Sequence, residues 1–370
     1  MQYMRTLAVT CILLLIGTSV YAQQGDFWIR FWDDTEENFG FKDESGQIVI
    51  QPKFGFFSYV NRLEHVFIAS EFKDWKLDIY YLTKSGNEFG RDSIYSYDNT
   101  PDCESEGFIR FRDRKTDKVG MFDRNGEVVI PAVYDDLSQV KNGLVTALKD
   151  KEKKFWEEHN HSGCEHFSWT GGKTMLIDTA NSVLIDNFTD TLYLDLYSHL
   201  HQDLLDEKPN REYFPGVDGG FHSFVNYETD FSLWLDQAIL DDFSLDKLKA
   251  GSADSLVFWK EGEGWVSKPS DRILEDNFLL IKDALSLRQI QNQDFFISIN
   301  GLNQGIFEAE AYNVYFDNCG QALTGKYPLM SVIISHKNGD DFYQNHFDFL
   351  KTEEGYRLVS ITLRSGMITD

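Results

Sequence analysis

Short runs of alternating apolar and polar residues fill the first half of the chain, and they recur at a fixed spacing. Residues 40–54, GFKDESGQIVIQPKF, match residues 120–134, GMFDRNGEVVIPAVY, at an offset of 80 positions. In each copy an apolar or aromatic run precedes an Asp-x-x-Gly turn, and β-branched residues follow it up to an aromatic ring. Because Gly adopts a positive φ at little cost, the pattern predicts a β-hairpin.

Two weaker copies continue the pattern. Residues 80–89 place Gly86 midway between Gly46 and Gly126, 40 positions from each. Residues 175–188 keep an Asp and a Val-Leu-Ile run, after an insertion rich in His and charged residues. A lone hairpin cannot bury its apolar face, so the regular spacing predicts hairpins packed side by side as a propeller-like or solenoid array.

The repeat unit resembles the WG (KWG) repeat family, in which W-G and two apolar residues precede D-x-x-G, a β-branched pair, Pro, an aromatic residue and Asp. Residues 120–135 fit that order, with Pro131 and Tyr134 at the expected places. Phe39 and Val119 stand where the family has Trp. The resemblance covers about residues 31–188 and implies a repeat scaffold with no shared catalytic residues.

Helical periodicity replaces the repeat from about residue 190. Apolar residues recur at steps of three and four after Thr229, a candidate helix cap, and again after Ser270. Residues 330–336, 342–350 and 356–364 are separated by Gly-containing turns and predict an antiparallel meander. Residues 295–299 predict a fourth strand.

The predicted fold class is therefore mixed. Residues 23–189 are expected to form an all-β repeat array of hairpins, and residues 190–370 an α+β domain with helices on an antiparallel sheet. The order of elements in the second domain resembles nuclear-transport-factor-like domains, but order alone carries no functional inference.

The first 22 residues have the composition of a cleavable secretory signal. Arg5 precedes an apolar run, no acidic residue is present, and the segment ends at Ala22 after Val20 and Tyr21. The run is shorter than the about 18 apolar residues that a membrane span needs. We therefore expect cleavage after Ala22, export to the periplasm or the extracellular space, and no membrane insertion after cleavage.

The acidic composition narrows the range of partners. The chain carries 60 acidic and 35 basic residues, a formal net charge of −25 at pH 7. The electrostatic field of such a charge repels nucleic-acid phosphates and anionic lipid headgroups, so no nucleic-acid partner is expected. Hydrophobic residues make up 42% of the chain, which is enough for sizeable cores. The charge should therefore steer a folded protein towards basic surfaces.

Three cysteines remain after the predicted cleavage: Cys103, Cys164 and Cys319. An odd and widely spaced set is not a disulfide framework. Two readings stay open, namely small buried side chains, or one bridge with one free thiol in an exported chain.

Metal-ligand residue types cluster in the insertion before the fourth repeat. The set is His159, His161, Cys164 and His166, an H-x-H-x2-C-x-H run. Imidazole and thiolate are ligands that zinc and copper prefer. The run lacks a separated second ligand pair and lies among charged residues, so we predict a polar loop and no cofactor, with a metal site as the alternative.

Two classes of function remain. The first is an exported, non-enzymatic binding or scaffold protein that recognises a protein or glycan through its repeat face. Aromatic residues outside the predicted hairpin cores are its candidate contacts: Trp28, Trp32, Trp156 and Trp169.

The alternative class is an exported hydrolase with its site in the C-terminal domain. His336 and His346 are expected to face one another across the last hairpin, with Asp317 and Cys319 nearby in sequence. No serine-hydrolase elbow, H-E-x-x-H helix or C-x-x-C pair occurs in the sequence. The binding class is therefore favoured.

Overall fold

The computed structural model describes residues 27–155, 167–189, 191–260, 262–286, 295–338, 341–364 and 368. The predicted secretory signal, the His-rich run and Trp156 lie outside the described residues. Across the described ranges the chain is mostly β. None of the helices in those ranges has the length and apolar character needed to cross a membrane.

Small antiparallel sheets make up the first half of the chain. The strands are β1 (Trp28–Trp32), β2 (Phe39–Lys42), β3 (Ile48–Phe54), β4 (Arg62–Leu63), β5 (Val66–Lys73), β6 (Lys76–Thr83), β7 (Glu88–Phe89), β8 (Ser96–Tyr97), β9 (Thr100–Pro101), β10 (Phe108–Asp113), β11 (Lys118–Asp123), β12 (Val128–Tyr134), β13 (Asp136–Leu137), β14 (Leu144–Lys149), β15 (Glu152–Phe155), β16 (Phe167–Thr170), β17 (Lys173–Asp178) and β18 (Val183–Ile185). Their orders are β3-β2-β1-β4, β5-β6-β7, β8-β9, β10-β11-β12, β13-β14-β17-β18 and β15-β16.

Each repeat is a three-stranded meander built on the predicted hairpin. The hairpins are β2-β3, β6-β7, β11-β12 and β17-β18, and a preceding strand, β1, β5, β10 or β14, pairs with each. Neighbouring repeats share cores. Phe54 of the first packs with Phe67 of the second, and Tyr81 of the second packs with Phe122 of the third. The array is therefore held together by contacts between adjacent repeats.

The Asp-x-x-Gly turns place Gly at the positive φ that the sequence predicts, and the Asp side chain closes each turn. The Asp123 carboxylate accepts the backbone N–H of Asn125 at 2.8 Å and of Glu127 at 2.9 Å, and Gly126 has φ of 86°. In the fourth copy Asn181 takes the Gly position at φ of 64°. Asn tolerates this left-handed conformation better than most residues, so the degenerate copy keeps the same turn.

The next strand approaches so closely that only Gly fits before the apolar pair of each well-conserved copy, at Gly40 and Gly120. A Cβ added to Gly120 would lie 2.5 Å from the Phe111 ring and 2.6 Å from the Ile130 carbonyl oxygen. At Gly40 a Cβ would lie 2.2 Å from the Ile50 carbonyl oxygen. No side chain fits at either position, which gives a physical reason for the repeated Gly.

The second half combines strands and helices. Its strands are β19 (Leu194–Gln202), β20 (Arg211–Pro215), β21 (Phe221–Asn226), β22 (Ser252–Lys260), β23 (Gly264–Pro269), β24 (Phe295–Asn300), β25 (Leu329–Asn338), β26 (Asp341–Thr352) and β27 (Gly355–Thr362). Its helices are α1 (Tyr227–Leu235), α2 (Leu245–Ala250) and α3 (Ser270–Ser286), with a π-helical turn at Asp236–Leu240 and a 3-10 turn at Glu310–Tyr315. The sheet orders are β19-β21-β20 and β23-β22-β27-β26-β25-β24.

The larger sheet contains the predicted meander as β25, β26 and β27, with β24 at its edge. The expectation of a wholly antiparallel sheet is wrong, because β22 pairs with β27 in parallel. A long connection that includes α3 separates those two strands, so no tight turn imposes an antiparallel pairing. The cap of α1 is Asn226, whose side-chain oxygen accepts the Thr229 N–H at 3.1 Å, and not Thr229 itself.

The smaller sheet, β19-β21-β20, packs on the fourth repeat. Leu176 and Phe188 of that repeat share a buried core with Leu194 and Phe224 of the sheet. In the larger sheet, α1 and α3 cover one face through residues such as Phe231 and Ile281.

A segment of the second half, residues 316–326, crosses the repeats, and we call it the clasp. The Asn318 carbonyl oxygen accepts the N–H of Asn61 at 2.7 Å, Cys319 forms a disulfide with Cys103, and Gly325 lies against Lys141. The three repeat residues precede β5, β10 and β14. The clasp therefore touches three consecutive repeats at corresponding loops. Cys103 and Cys319 are bridged and not merely small buried side chains, whereas Cys164 lies outside the described residues.

The clasp opens with the repeat's own turn. The Asp317 carboxylate accepts the N–H of Cys319 at 2.9 Å and of Gln321 at 2.8 Å, and Gly320 has φ of 84°. This is the geometry of the Asp-x-x-Gly turns in the repeats, placed in a part of the chain where the 40-residue spacing has ended.

Candidate functional site

The β5–β6 hairpin ends in a strained two-residue turn. Lys73 pairs with Lys76, and the residues between them, Asp74 and Trp75, have φ of 49° and 64°. Two positive φ values define a type I′ turn, which normally uses Asn and Gly. A bulky side chain in the left-handed region costs about 1–2 kcal/mol. Trp75 is therefore a backbone outlier that local conformational preference does not explain.

The ring of Trp75 is 92% exposed, and it is not alone. Phe72 is 67% exposed with its ring centroid 6.5 Å from that of Trp75, and its cross-strand partner Leu77 is also exposed. Single exposed apolar residues are ordinary on protein surfaces, whereas a contiguous exposed group is less common and is a candidate interaction site. The hairpin tip is such a group.

A loop of aromatic residues lies beside the same strand. Phe56 is 84% exposed, and its ring contacts Phe57. The Gly55 N–H donates to the Ser70 carbonyl oxygen at 2.8 Å, and the Ser70 N–H donates to the Ser58 hydroxyl. This loop is therefore anchored two residues from Phe72. We call the exposed rings of this region the ring patch, which comprises Phe56, Phe57, Tyr59, Phe72 and Trp75.

A buried ionic network supports the hairpin under the ring patch. Glu71 is buried and accepts hydrogen bonds from Lys53 at 3.0 Å, from Lys73 at 2.7 Å and from the Tyr80 hydroxyl. Burial opposes ionisation of Glu71, but the hydrogen bonds from Lys73, Tyr80 and Lys53 outweigh it and lower its pKa. The network fixes the strand that presents Phe72 and Trp75.

The described Trp residues that the sequence predicted as partner contacts are less exposed than Trp75. Trp32 is 41% exposed on β1 with its ring against Phe39, whereas Trp28 is half-buried against Phe41. Trp169 is half-buried on β16. Their role as contacts stays a prediction.

Sequence reasoning did not single out the ring patch. Aromatic residues inside and outside a small repeat look alike in a one-dimensional pattern, because exposure depends on which sheet face the next repeat covers. One local signal was available: the KDWK sequence between two long alternating runs gives a two-residue turn with Trp at its tip.

A cavity of about 440 Å³ lies between the β8–β9 hairpin and the clasp. Its lining includes Asp102, Arg110 and Gln321. The Arg110 guanidinium donates to Asp102 at 2.5 and 3.1 Å and to the Leu137 carbonyl oxygen at 2.8 Å. Arg110 and Asp102 of this wall are thus committed to each other, and Arg110 also ties β10 to β13 of the next sheet.

The predicted pairing of His336 with His346 is wrong. His336 lies opposite Tyr343 on β26, and His346 lies opposite Ile333 on β25. Positions three apart on a strand point to opposite faces, so the two imidazoles do not share a site. The pairing register of β25 with β26 is the physical reason.

The other two residues of that hypothetical catalytic site already have structural partners. Asp317 accepts the backbone N–H groups of the clasp turn, and Cys319 is in the disulfide. The alternative catalytic arrangement therefore receives no support from the geometry of the described residues.

Shared cores between successive three-stranded units define a β-repeat protein. Residues 39–72 and 120–152 match the family described as WG containing repeat. These two segments are WG repeats, and the resemblance predicted from the sequence is confirmed for them. The first includes Phe56, Phe57, Tyr59 and Phe72 of the ring patch. Comparisons with curated proteins and with solved structures gave no match.

Proposed function

We propose that this protein is a non-enzymatic binding protein that holds a protein partner through the ring patch of its first WG repeats. The observation that carries the proposal is Trp75, which is 92% exposed in a backbone conformation that disfavours it. Neighbouring Phe72 extends its apolar surface. Tyr and Trp rings dominate the binding energy of protein interfaces.

The charge of the chain supports a basic protein as the partner. A net charge of −25 accelerates encounter with a positively charged surface and repels an acidic one. Exposed ring faces also accept Lys and Arg through cation–π contacts, worth about 0.5–1 kcal/mol at exposed sites. A neutral glycan uses the stacking faces of the rings but gains nothing from the charge.

Export is part of the proposal. The composition of the first 22 residues supports it. The disulfide between Cys103 and Cys319 supports it independently, because such bridges persist in oxidising compartments.

The test uses the chain from residue 23 onward as bait for envelope proteins of the cell that produces it. Variants that lack an exposed aromatic ring are then compared with the unmodified chain. A partner that the unmodified chain captures is purified and titrated against Trp75→Ala and against Trp259→Ala. Trp259 is a matched control, an exposed Trp that packs on Trp265 in the second half. We expect Trp75→Ala to cost about 2 kcal/mol, which is about 30-fold in Kd. The control should leave Kd unchanged.

Two results would contradict the proposal. Equal affinity of the Trp75→Ala, Phe72→Ala double variant and the unmodified chain would remove the ring patch from the interface. A glycan that competes fully with the captured protein, with no dependence on ionic strength, would replace the proposed partner class.

A further inference from the structure

Three imidazoles lie on one face of the smaller sheet. His199 and His201 are two positions apart on β19, so their side chains point the same way. The register pairs His201 with His222 on β21. Asp218, in the turn between β20 and β21, approaches the group, with its Oδ2 at 3.0 Å from His201 Nε2.

Donor atoms from His201, Asp218 and His222 converge. One side-chain donor atom of each lies within 4.8 Å of the other two. Zinc binds nitrogen and oxygen at about 2.0–2.2 Å, so tetrahedral ligand atoms stand about 3.3 Å apart. The three donor atoms therefore lie within about 1.5 Å of the separation that a tetrahedral metal site needs.

Two glycines keep the space between the donors open. A Cβ added to Gly216 would lie 2.6 Å from Asp218 Oδ1 and 2.9 Å from His222 Nε2. A Cβ added to Gly220 would lie 2.5 Å from His201 Nε2. Neither residue has a positive φ, so backbone conformation does not explain these glycines. They leave room around the donor atoms.

His199 orients the ring of His222. Its Nε2 lies 2.8 Å from His222 Nδ1, which leaves His222 Nε2 directed towards Asp218 and Gly216. The His199 ring stacks on Phe224, in the core shared with the fourth repeat. A hydrogen bond to the second ring nitrogen is how proteins hold a metal-binding imidazole in place.

We propose that His201, His222 and Asp218 bind a zinc ion, with His199 as a positioning residue for His222. Two imidazoles and a carboxylate suit zinc, and three protein ligands leave one coordination position for water or a ligand. His222 is buried at 4% exposure, whereas His201 and Asp218 are exposed, so the site opens to solvent on one side.

Other donor clusters among the described residues are already engaged. Cys103 and Cys319 are joined in the disulfide. Glu104 accepts hydrogen bonds from the backbone N–H groups of His65 and Val66, and it bonds the His65 ring at 2.6 Å. In the histidine cluster of β19 and β21, Asp218 is the partner of His201 at 3.0 Å, so a metal ion would take the place of a single exposed contact.

The experiment is calorimetric titration of the full chain with Zn²⁺, using two sets of variants. One set is His201→Ala and His222→Ala. The matched control replaces the separate His-rich run, with His159→Ala, His161→Ala, Cys164→Ser and His166→Ala together. We expect one-to-one binding in the unmodified chain and in the control, and loss of binding in both single variants.

The visible absorption spectrum of bound Co²⁺ reports which types of side chain hold the metal. A site of imidazoles and a carboxylate produces visible ligand-field bands without a thiolate-to-cobalt charge-transfer band, whereas a site that uses Cys164 produces that band. Binding that survives His222→Ala, or a charge-transfer band that disappears with Cys164→Ser, overturns the proposal.

His199 and Gly216 test the details of the site. His199→Ala should weaken Zn²⁺ binding by about 10-fold, and His199→Gln should recover part of the loss because an amide again meets His222 Nδ1. Gly216→Ala should weaken binding while every ligand is kept, whereas Val217→Ala, an exposed neighbour, should not. Unchanged affinity in both His199→Ala and Gly216→Ala contradicts the proposed geometry.

Discussion

The repeat requires a residue without a side chain at position 120. Replacement by Ala places a Cβ within 2.6 Å of the Ile130 carbonyl oxygen and against the Phe111 ring, so strand β12 has to move. We expect Gly120→Ala to lower the free energy of unfolding by about 1–3 kcal/mol. Denaturant melts of the full chain measure it.

Gly55, which follows β3 of the first repeat, serves as the control. A Cβ on Gly55 meets no atom closer than 3.8 Å, and its φ is not positive. Gly55→Ala should therefore leave the midpoint almost unchanged. Equal midpoints for Gly120→Ala and Gly55→Ala would show that the strand approach does not constrain the repeat.

Glu71 makes stability depend on pH. Its folded-state pKa is lowered, because the hydrogen bonds from Lys73, Tyr80 and Lys53 outweigh the effect of burial. The contribution is therefore present above the unfolded value of about 4.3 and is lost as the pH falls through the folded value. Glu71→Gln should cost about 1–3 kcal/mol at neutral pH. In melts at successively lower pH, the difference between variant and unmodified chain should begin to shrink only below about pH 4.3.

In the β5–β6 hairpin, we expect replacement of Trp75 to change stability and partner binding in opposite directions. Trp75→Gly relieves a side chain held at φ of 64° and should raise the free energy of unfolding by about 1 kcal/mol. The same change removes the exposed ring and should weaken partner binding. Thermal melts and a titration on the same samples provide both measurements.

Asp74→Gly is the matched variant for that prediction. It changes the same turn, keeps the ring of Trp75 and replaces a residue that tolerates its φ of 49°. It should therefore change stability little and leave affinity unaltered. A destabilised Trp75→Gly chain would show that the ring contributes to folding and would contradict backbone strain at Trp75.

Local chemistry explains which elements were predictable. The turns at Asp43 and Asp123 were visible because one carboxylate and one Gly suffice to specify them. The meander of β25, β26 and β27 was visible because its turns are short. The parallel pairing of β22 with β27 depends on packing across about 100 residues, which no local pattern encodes.

The candidate sites were less predictable for the same reason. Exposure of Trp75 and Phe72 depends on where the neighbouring repeat ends. The two imidazoles of the proposed zinc site meet through strand register, since His222 lies opposite His201. The two-residue spacing of His199 and His201 was the only local sign, and it needs a strand assignment before it means that both rings share a face.

At the scale of the molecule, the disulfide between Cys103 and Cys319 joins residues 216 positions apart. Closing so large a loop restricts the unfolded chain and should contribute about 2–5 kcal/mol. The Cys103→Ser, Cys319→Ser double variant should unfold at correspondingly lower denaturant. Adding reductant to the unmodified chain should reproduce the variant, whereas reductant should not change the variant itself.

The clasp also bears on how this protein can change during evolution. Repeat arrays commonly lengthen or shorten when recombination copies or deletes whole units. Here one short segment reaches the loops before β5, β10 and β14, and one of its contacts is covalent. A unit inserted between those loops would separate Asn61, Cys103 or Lys141 from its contact in the clasp. Units gained at the amino-terminal side of β1 leave those contacts intact, so that end is where the array is free to grow.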